Sequence, residues 1–373
     1  LLLLAAALLL PQTPLLAGAD RLGRALQRAP RGAWLLAAGL LCVSLLVGGA
    51  VFEVPRPVQV LGGMGLALVG AYAIGHRLLF PAALVAAMLA LGGWRNISDS
   101  LDPGRMTRSY FGIYTVRALG EDATALVHGT TVHGVQLRRE GLQTLPTSYY
   151  APESGADLAL RAAPGLYGER ARIDVIGLGA GALACYARPG QRWRFYEIDP
   201  AVERIARDTR HFSFLARCLP EVPVLIGDAR ITIARAAPAS ADVLIIDAFS
   251  SDTVPMHLLT REAFATYRRH LAPNGLLVAH ISNRHLDLRP VIAAAAADGW
   301  TLRIRELQVS AEQRRNLHYT PSRWVALSRD PAVIAALESV AGPDTWQPVA
   351  PHPDFPAWTD DYGSILPLLI RLQ

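Results

Sequence analysis

Apolar positions crowd the first hundred residues in long runs, then change period twice along the chain. Residues 33 to 53 read AWLLAAGLLCVSLLVGGAVFE, with no charge before Glu53. About 20 apolar residues at about 1.5 Å rise cross a hydrocarbon core of about 30 Å. Val58 to Ile74 and Leu78 to Trp94 repeat the pattern, split by His76-Arg77, and Leu1 to Leu16 reads as the tail of an earlier span. This repetition excludes a signal peptide. It predicts transmembrane helices over residues 1–94, with a lipid bilayer as partner. The bland alternative is a buried helical bundle. The first residue is not Met, so the natural start is expected upstream.

From about Arg105 the pattern becomes alternation. Tyr110 to Leu119 and Ala123 to Leu137 are rich in β-branched residues and broken by Gly/Thr turns, which predicts a small antiparallel β domain over 105–165. From Arg172 short apolar runs alternate with helical ones. Strands are expected at 172–177, 193–198, 222–226, 241–246, 275–282, 301–307 and 323–328, with helices such as Leu259 to Leu271 and Pro290 to Asp298 between them. Seven strands with intervening helices predict an α/β fold: a doubly wound, seven-stranded Rossmann-like sheet forming a catalytic domain over 166–373.

Composition changes this picture little. All 36 basic residues are arginine, which rules out a Schiff-base or P-loop lysine. The net charge of +5 is scattered in pairs such as Arg138-Arg139 and Arg314-Arg315, without interleaved aromatics, so no nucleic-acid partner is expected. Cys42, Cys185 and Cys218 show neither a disulfide framework nor zinc spacing, which favours a reducing compartment. His128 and His133 are five apart in a strand-turn region, and no metal is expected. Topology carries a conflict. Arg21, Arg24, Arg28 and Arg31 should hold their loop in the cytoplasm, and three crossings from there lead outside. Arg95, Arg105 and Arg108 favour the inside for the other end. The expected placement is a multi-pass protein of the inner (plasma) membrane with the 166–373 domain on the cytoplasmic side.

The richest stretch is IDVIGLGAGALACYARPGQRWRFYEID, from Ile173 to Asp199. It reads as strand, glycine turn (Gly177, Gly179, Gly181), helix, strand, acid. Glycines allow a tight turn and close approach to a ligand, and an acid on the next strand tip can accept from ribose hydroxyls. In such sheets the ligand lies beyond the carboxyl ends of the strands. The later tips supply Asp228-Ala229, Asp247 with Asp252 beyond it, and Ser282-Asn283. A glycine turn alone also serves plain helix–strand packing. Glu197 and Asp228 on the following tips narrow the reading to a nucleoside. Asp199-Pro200 has its own plain reading, as the cap and first turn of a helix.

Over roughly Ser109 to Arg329 these residues resemble the spermidine synthase family of the adenosylmethionine-dependent methyltransferase fold. The likeness is strongest to its membrane-fused branch, through HGTTVHGVQ, SYYAPESG, DAFSSDTVPMHLLT and WTDDY. The resemblance implies S-adenosylmethionine or its decarboxylated form as substrate. Gly177, Gly179 and Gly181 would pass close to the nucleoside and sulfonium, Glu197 would hold the ribose, and Asp228 with Ala229 the adenine. Gln136 and the Tyr149-Tyr150 pair would line the aminopropyl and acceptor region. Asp247 would be the carboxylate nearest the reacting centre. A nucleophile must reach the carbon γ to sulfur in line, and a carboxylate must bind and deprotonate an amine acceptor. The related soluble enzymes commonly associate, so a homodimer, through Gly62, Gly63 and Gly65, is one role for the apolar spans.

Two departures from the family pattern matter. Soluble spermidine synthases carry an Asp within the glycine turn that disfavours a substrate carboxylate, and here that position is Ala180. The family's two loop acids are usually three apart, whereas Asp247 and Asp252 are five apart. Asp252 then reads equally as a turn residue, and Tyr149-Tyr150 replaces a Tyr-His pair. The expected reaction is aminopropyl transfer to a polyamine with release of methylthioadenosine. The alternatives are a lyase giving methylthioadenosine and homoserine lactone without an acceptor, a methyltransferase, and a sensor without turnover. Thr359-Asp360-Asp361 reads either as a helix N-cap or, through Asp360 and Asp361, as an acceptor pocket.

Overall fold

The computed structural model describes residues 30–49, 54–74, 76, 78–102, 104–129, 131–248, 255–296, 299–350 and 355–369. Asp252 and the run Leu1 to Leu16 lie outside them. The chain divides into two compact units, Leu1–Met106 and Thr107–Gln373.

The first unit is helical. Helices α1 (Pro30–Val47), α2 (Arg56–Tyr72) and α3 (Leu79–Met88) pack on one another, and α3 runs through a π-helical turn at Leu89–Gly93 into α4 (Trp94–Leu101). Among the described residues one continuous helix, Leu79–Leu101, is long and apolar enough to cross a membrane, and Arg31–Val47 is a shorter apolar helix. Small residues let the helices approach. A Cβ on Gly62 would lie 2.1 Å from a Val47 methyl, and one on Gly63 would lie 2.5 Å from Leu91. Those two glycines are therefore spent inside this bundle, whereas the third expected contact, Gly65, has open space beside it. The outer faces are strongly apolar: Trp34, Leu35, Leu61 and Leu68 are each about two-thirds exposed or more, at 67%, 74%, 68% and 70%.

The second unit opens with a four-stranded antiparallel meander, β1 (Met106–Ser109), β2 (Gly112–Leu119), β3 (Ala123–His128) and β4 (Thr131–Leu137). Helix α5 (Gly155–Tyr167) follows, capped by Ser154. The expected boundary between residues 165 and 166 falls within α5. The large sheet contains β5 (Arg172–Ile176), β6 (Arg192–Glu197), β7 (Val224–Ile226), β8 (Ala241–Ile246), β9 (Leu271–His280), β10 (Thr301–Leu307), β11 (Ser322–Ser328) and a two-residue β12 (Gln347–Pro348). Its order is β12-β10-β11-β9-β8-β5-β6-β7. Strands β5 to β9 pair in parallel, whereas β10, β11 and β12 join antiparallel. The seven expected strands all form, but the sheet has eight rather than seven, because residues 347–348 add a short antiparallel edge to β10; the winding direction reverses between β5 and β8.

Val175, Ile245 and Val278 face one apolar core, and Ile176, Ile246 and Ala279 face the other. Successive strand residues point to opposite faces, and a sheet covered on both sides reads as unbroken apolar runs. Burying each such side chain contributes roughly 1.5–3 kcal/mol.

Two expectations fail here. The helix after the glycine turn is a single 3-10 segment, Ala182–Tyr186, because the short interval before β6 is closed by the Pro189-Gly190 turn. The thiols are not all free: Cys185, on that segment, is disulfide-bonded to Cys218 at the end of α7 (Phe214–Cys218), with Cα atoms 4.9 Å apart. Sequence spacing carries no trace of this pairing, since the packing of Leu215 on the Gly181 turn is what brings the two cysteines together.

Candidate active site

At the carboxyl edge of the large sheet lies a cavity of about 310 Å³. Gly177, Leu178 and Gly179 from the turn after β5 line it, with Glu197 from β6, Asp228 and Ala229 after β7, and Asp247 after β8. Tyr114, His128, His133 and Tyr150 add a wall from the preceding segment. Four consecutive strand tips thus converge, as the parallel winding requires.

The turn is glycine for steric reasons. Gly177 has φ +95°, and a Cβ there would sit 2.2 Å from the Asp247 carbonyl oxygen. Gly179 has φ +54°, and its Cβ would sit 2.5 Å from the His133 carbonyl. Gly181 does not line the cavity; its φ is +86°, and a Cβ there would sit 2.9 Å from the Leu215 side chain. Ala180 is buried with its methyl toward Gly134 and likewise does not line the cavity.

Glu197 is buried. Its Oε2 accepts from Leu178 N at 3.0 Å and its Oε1 from Asp199 N at 3.0 Å. A carboxylate has about four lone-pair sites, so these donors leave capacity for a ligand hydroxyl. Burial pushes its carboxyl above the ordinary range, with the backbone donors of Asp199, Leu178 and Ile198 pulling the other way. Asp228 caps α8 (Ala229–Arg235), accepting through Oδ1 from Arg230 N and Ile231 N at 2.8 and 3.3 Å. Its Oδ2 lies 3.6 Å from His257 Nε2. Asp199 takes its plain reading: it caps α6 (Pro200–Arg207) through Ala201 N and also accepts from the Ser109 hydroxyl.

Asp247 is held by side chains at both oxygens. Tyr150 donates its hydroxyl to Oδ2, and His280 Nδ1 lies 2.7 Å from Oδ1. The His280 ring lies between those of Tyr149 and Trp324, at centroid distances of 4.6 and 4.5 Å and interplanar angles of 29° and 20°. Tyr150 is fully enclosed, and burial followed by the Asp247 charge pushes its phenol far above the ordinary value. The same two causes raise Tyr149, whose hydroxyl donates to the Val132 carbonyl. Tyr149 does not line the cavity; it packs on His280 and on Tyr150, whose ring does.

Three expectations are corrected by position. Gln136 is buried away from the cavity and clamps the chain before α7: it donates to Gln143 O and Ser213 Oγ and accepts from Ser213 N. Asp360 is clasped by the Arg230 guanidinium and the Thr260 hydroxyl beside a separate surface hollow, and Asp361 lies next to it. The arginine holds the Asp360 carboxyl below its ordinary range. Thr359-Asp360 caps no helix either, since Leu366–Leu368 is one 3-10 turn without a side-chain cap. His280 and Trp324 are absent from the sequence reading. Extending the fifth strand to residue 282 put Ser282-Asn283 at its tip, whereas β9 ends at His280.

No family model matches the chain. It is 36% identical over 114 residues to a polyamine aminopropyltransferase of Vibrio vulnificus, covering 29% of this chain and 37% of that protein. It is 29% identical over 154 residues to a probable polyamine aminopropyl transferase of Bifidobacterium longum, covering 40% of this chain and 31% of that one. The matches thus span about a third of each relative's length. Among solved structures, a probable spermidine synthase from Corynebacterium glutamicum superposes with a TM-score of 0.52 at 19% identity, covering 69% of this chain and 97% of that one. The second unit is an α/β fold with a mixed, mostly parallel sheet. More narrowly, its fold is spermidine synthase-like.

Proposed function

We propose that the chain binds adenosylmethionine or its decarboxylated form at this sheet edge, cleaves the sulfonium Cγ–S bond and releases methylthioadenosine, with aminopropyl transfer to a polyamine as the reaction. The observation that carries this reading is the convergence of Glu197, Asp228 and Asp247 on one cavity beside the Gly177–Gly179 turn. Glu197 would accept from the ribose hydroxyls and Asp228 from the adenine amine. Asp247 would face the amine acceptor and take its proton. Holding both reactants in line supplies much of the rate. The names of the similar aminopropyltransferases support the same reaction.

One observation favours the acceptor-free lyase. Both Asp247 oxygens already receive internal donors, and the glycine turn carries no acid to repel a substrate carboxylate. Intramolecular attack by that carboxylate needs no general base. Incubating the purified full chain with adenosylmethionine alone, and separately with decarboxylated adenosylmethionine plus putrescine, distinguishes the two. Methylthioadenosine from the first mixture supports the lyase; a longer polyamine only in the second supports the transferase. Adenosylhomocysteine with a methylated product points to methyl transfer, and binding without product to a sensor. Either of the last two outcomes overturns this proposal.

The apolar outer faces of the first unit and the Leu79–Leu101 helix support attachment to a bilayer. Nucleoside supply favours a cytoplasmic catalytic unit. The Cys185–Cys218 bond favours the opposite face, since such bonds persist in oxidising compartments. Protease accessibility in intact spheroplasts separates the two placements.

A further inference from the structure

We propose that His280 is a positioning residue that holds the Asp247 carboxylate through an Nδ1–H donor, and that Ser282 favours the tautomer which supplies that donor. The inference rests on the sulfonium-cleaving reading of the site.

The hydrogen-bond directions follow from the groups present. Arg323 N donates to Ser282 Oγ at 2.8 Å. The serine oxygen keeps a second lone pair, so that bond alone does not fix its role. A carboxylate only accepts, so His280 Nδ1 must donate to Asp247, and Nε2, 2.7 Å from Ser282 Oγ, then accepts the serine proton. A neutral imidazole that accepts at one nitrogen carries its proton on the other. Nδ1 then bears the hydrogen and points it at Asp247 Oδ1, 2.7 Å away. The opposite tautomer would aim a lone pair at the carboxylate and leave the serine proton without this acceptor.

The ring has little freedom to leave this position. It ends β9 opposite Trp324 in the antiparallel register, and Tyr149 covers its other face. Its side chain is only 4% exposed. His280 does not line the cavity, so its effect on substrate passes through Asp247. With Tyr150 on Oδ2 and His280 on Oδ1, the carboxylate plane is pinned at both oxygens. One lone pair on each remains for substrate.

The test compares full-length wild type with His280→Leu, His280→Asn and Ser282→Ala. It measures methylthioadenosine release at saturating sulfonium, and methylthioadenosine affinity by calorimetry. His280→Leu is expected to lower kcat about 100-fold, the scale of a small misplacement of a reacting group, with nucleoside affinity unchanged within about twofold as the folding control. Asn places an amide N–H near the Nδ1 position, so His280→Asn should recover about tenfold of that loss. Ser282→Ala should lower kcat less than His280→Leu. If wild type turns over and His280→Leu matches it, or if Leu and Asn are equally impaired with binding intact, the inference falls alone. If wild type binds methylthioadenosine but releases none from either sulfonium, the site reading falls and takes this inference with it.

Discussion

Gly177 shows how one residue holds the site together. Its missing Cβ lets the turn after β5 lie against the backbone of Asp247, two strand tips that the chain reaches some seventy residues apart. Gly177→Ala should cost about 1–3 kcal/mol in conformational strain alone, with a further loss of nucleoside binding. A denaturant melt and a titration with methylthioadenosine check both, and an unaltered variant would discount the close approach. Glu197 carries a pH prediction. Burial raises its folded carboxyl value, so the ligand-free protein holds the proton more tightly than the unfolded chain does. Its contribution to stability is complete below the ordinary carboxylate range and is lost as pH rises through the raised value. Binding runs the other way, because the ionised form accepts from ribose. Methylthioadenosine affinity should fall on acidification, beginning above the ordinary carboxylate range. In Glu197→Gln affinity should drop by about 1.5–3 kcal/mol and that pH dependence should vanish.

At the scale of elements, the Cys185–Cys218 bond ties the segment after the glycine turn to α7 across a separation of 33 residues. Closing such a loop stabilises a fold by about 2–4 kcal/mol. The Cys185→Ala/Cys218→Ala variant should melt earlier by that amount, and mild reductant should do the same to wild type. Equal melting of oxidised and reduced protein would remove the bond from the stability argument. The strands of the large sheet were legible because they are apolar runs covered on both faces. The helix expected after Gly181 was not: apolar residues there satisfy a helical pattern, but the distance to β6 leaves one 3-10 turn. Gln136 misled in another way. Its place in a motif suggested a ligand contact, while its side chain hydrogen-bonds Gln143 and Ser213.

For the whole molecule, the first unit exposes large apolar side chains on more than one helix, an arrangement that water penalises at roughly 25 cal/mol per Å². The full chain should stay in the membrane pellet after an alkaline carbonate wash and enter solution only with detergent. Recovery in the wash supernatant would exclude a bilayer as the cover for those faces.

Periodicity by itself determined where the seven expected strands lie, because burial on two faces leaves an unmistakable run of apolar residues, and the strand–helix alternation gave the parallel winding of β5 to β9 but not the antiparallel edge of β10 to β12. The acids after successive strands were readable for the same reason: parallel winding brings every carboxyl end to one edge. Which of those acids are shared with internal donors was decided only by tertiary packing. The Asp247–His280–Ser282 chain, the Arg230–Asp360 clasp and the cysteine pair each join segments remote in sequence, and no local pattern encodes a contact between residues whose proximity depends on how the sheet closes over them.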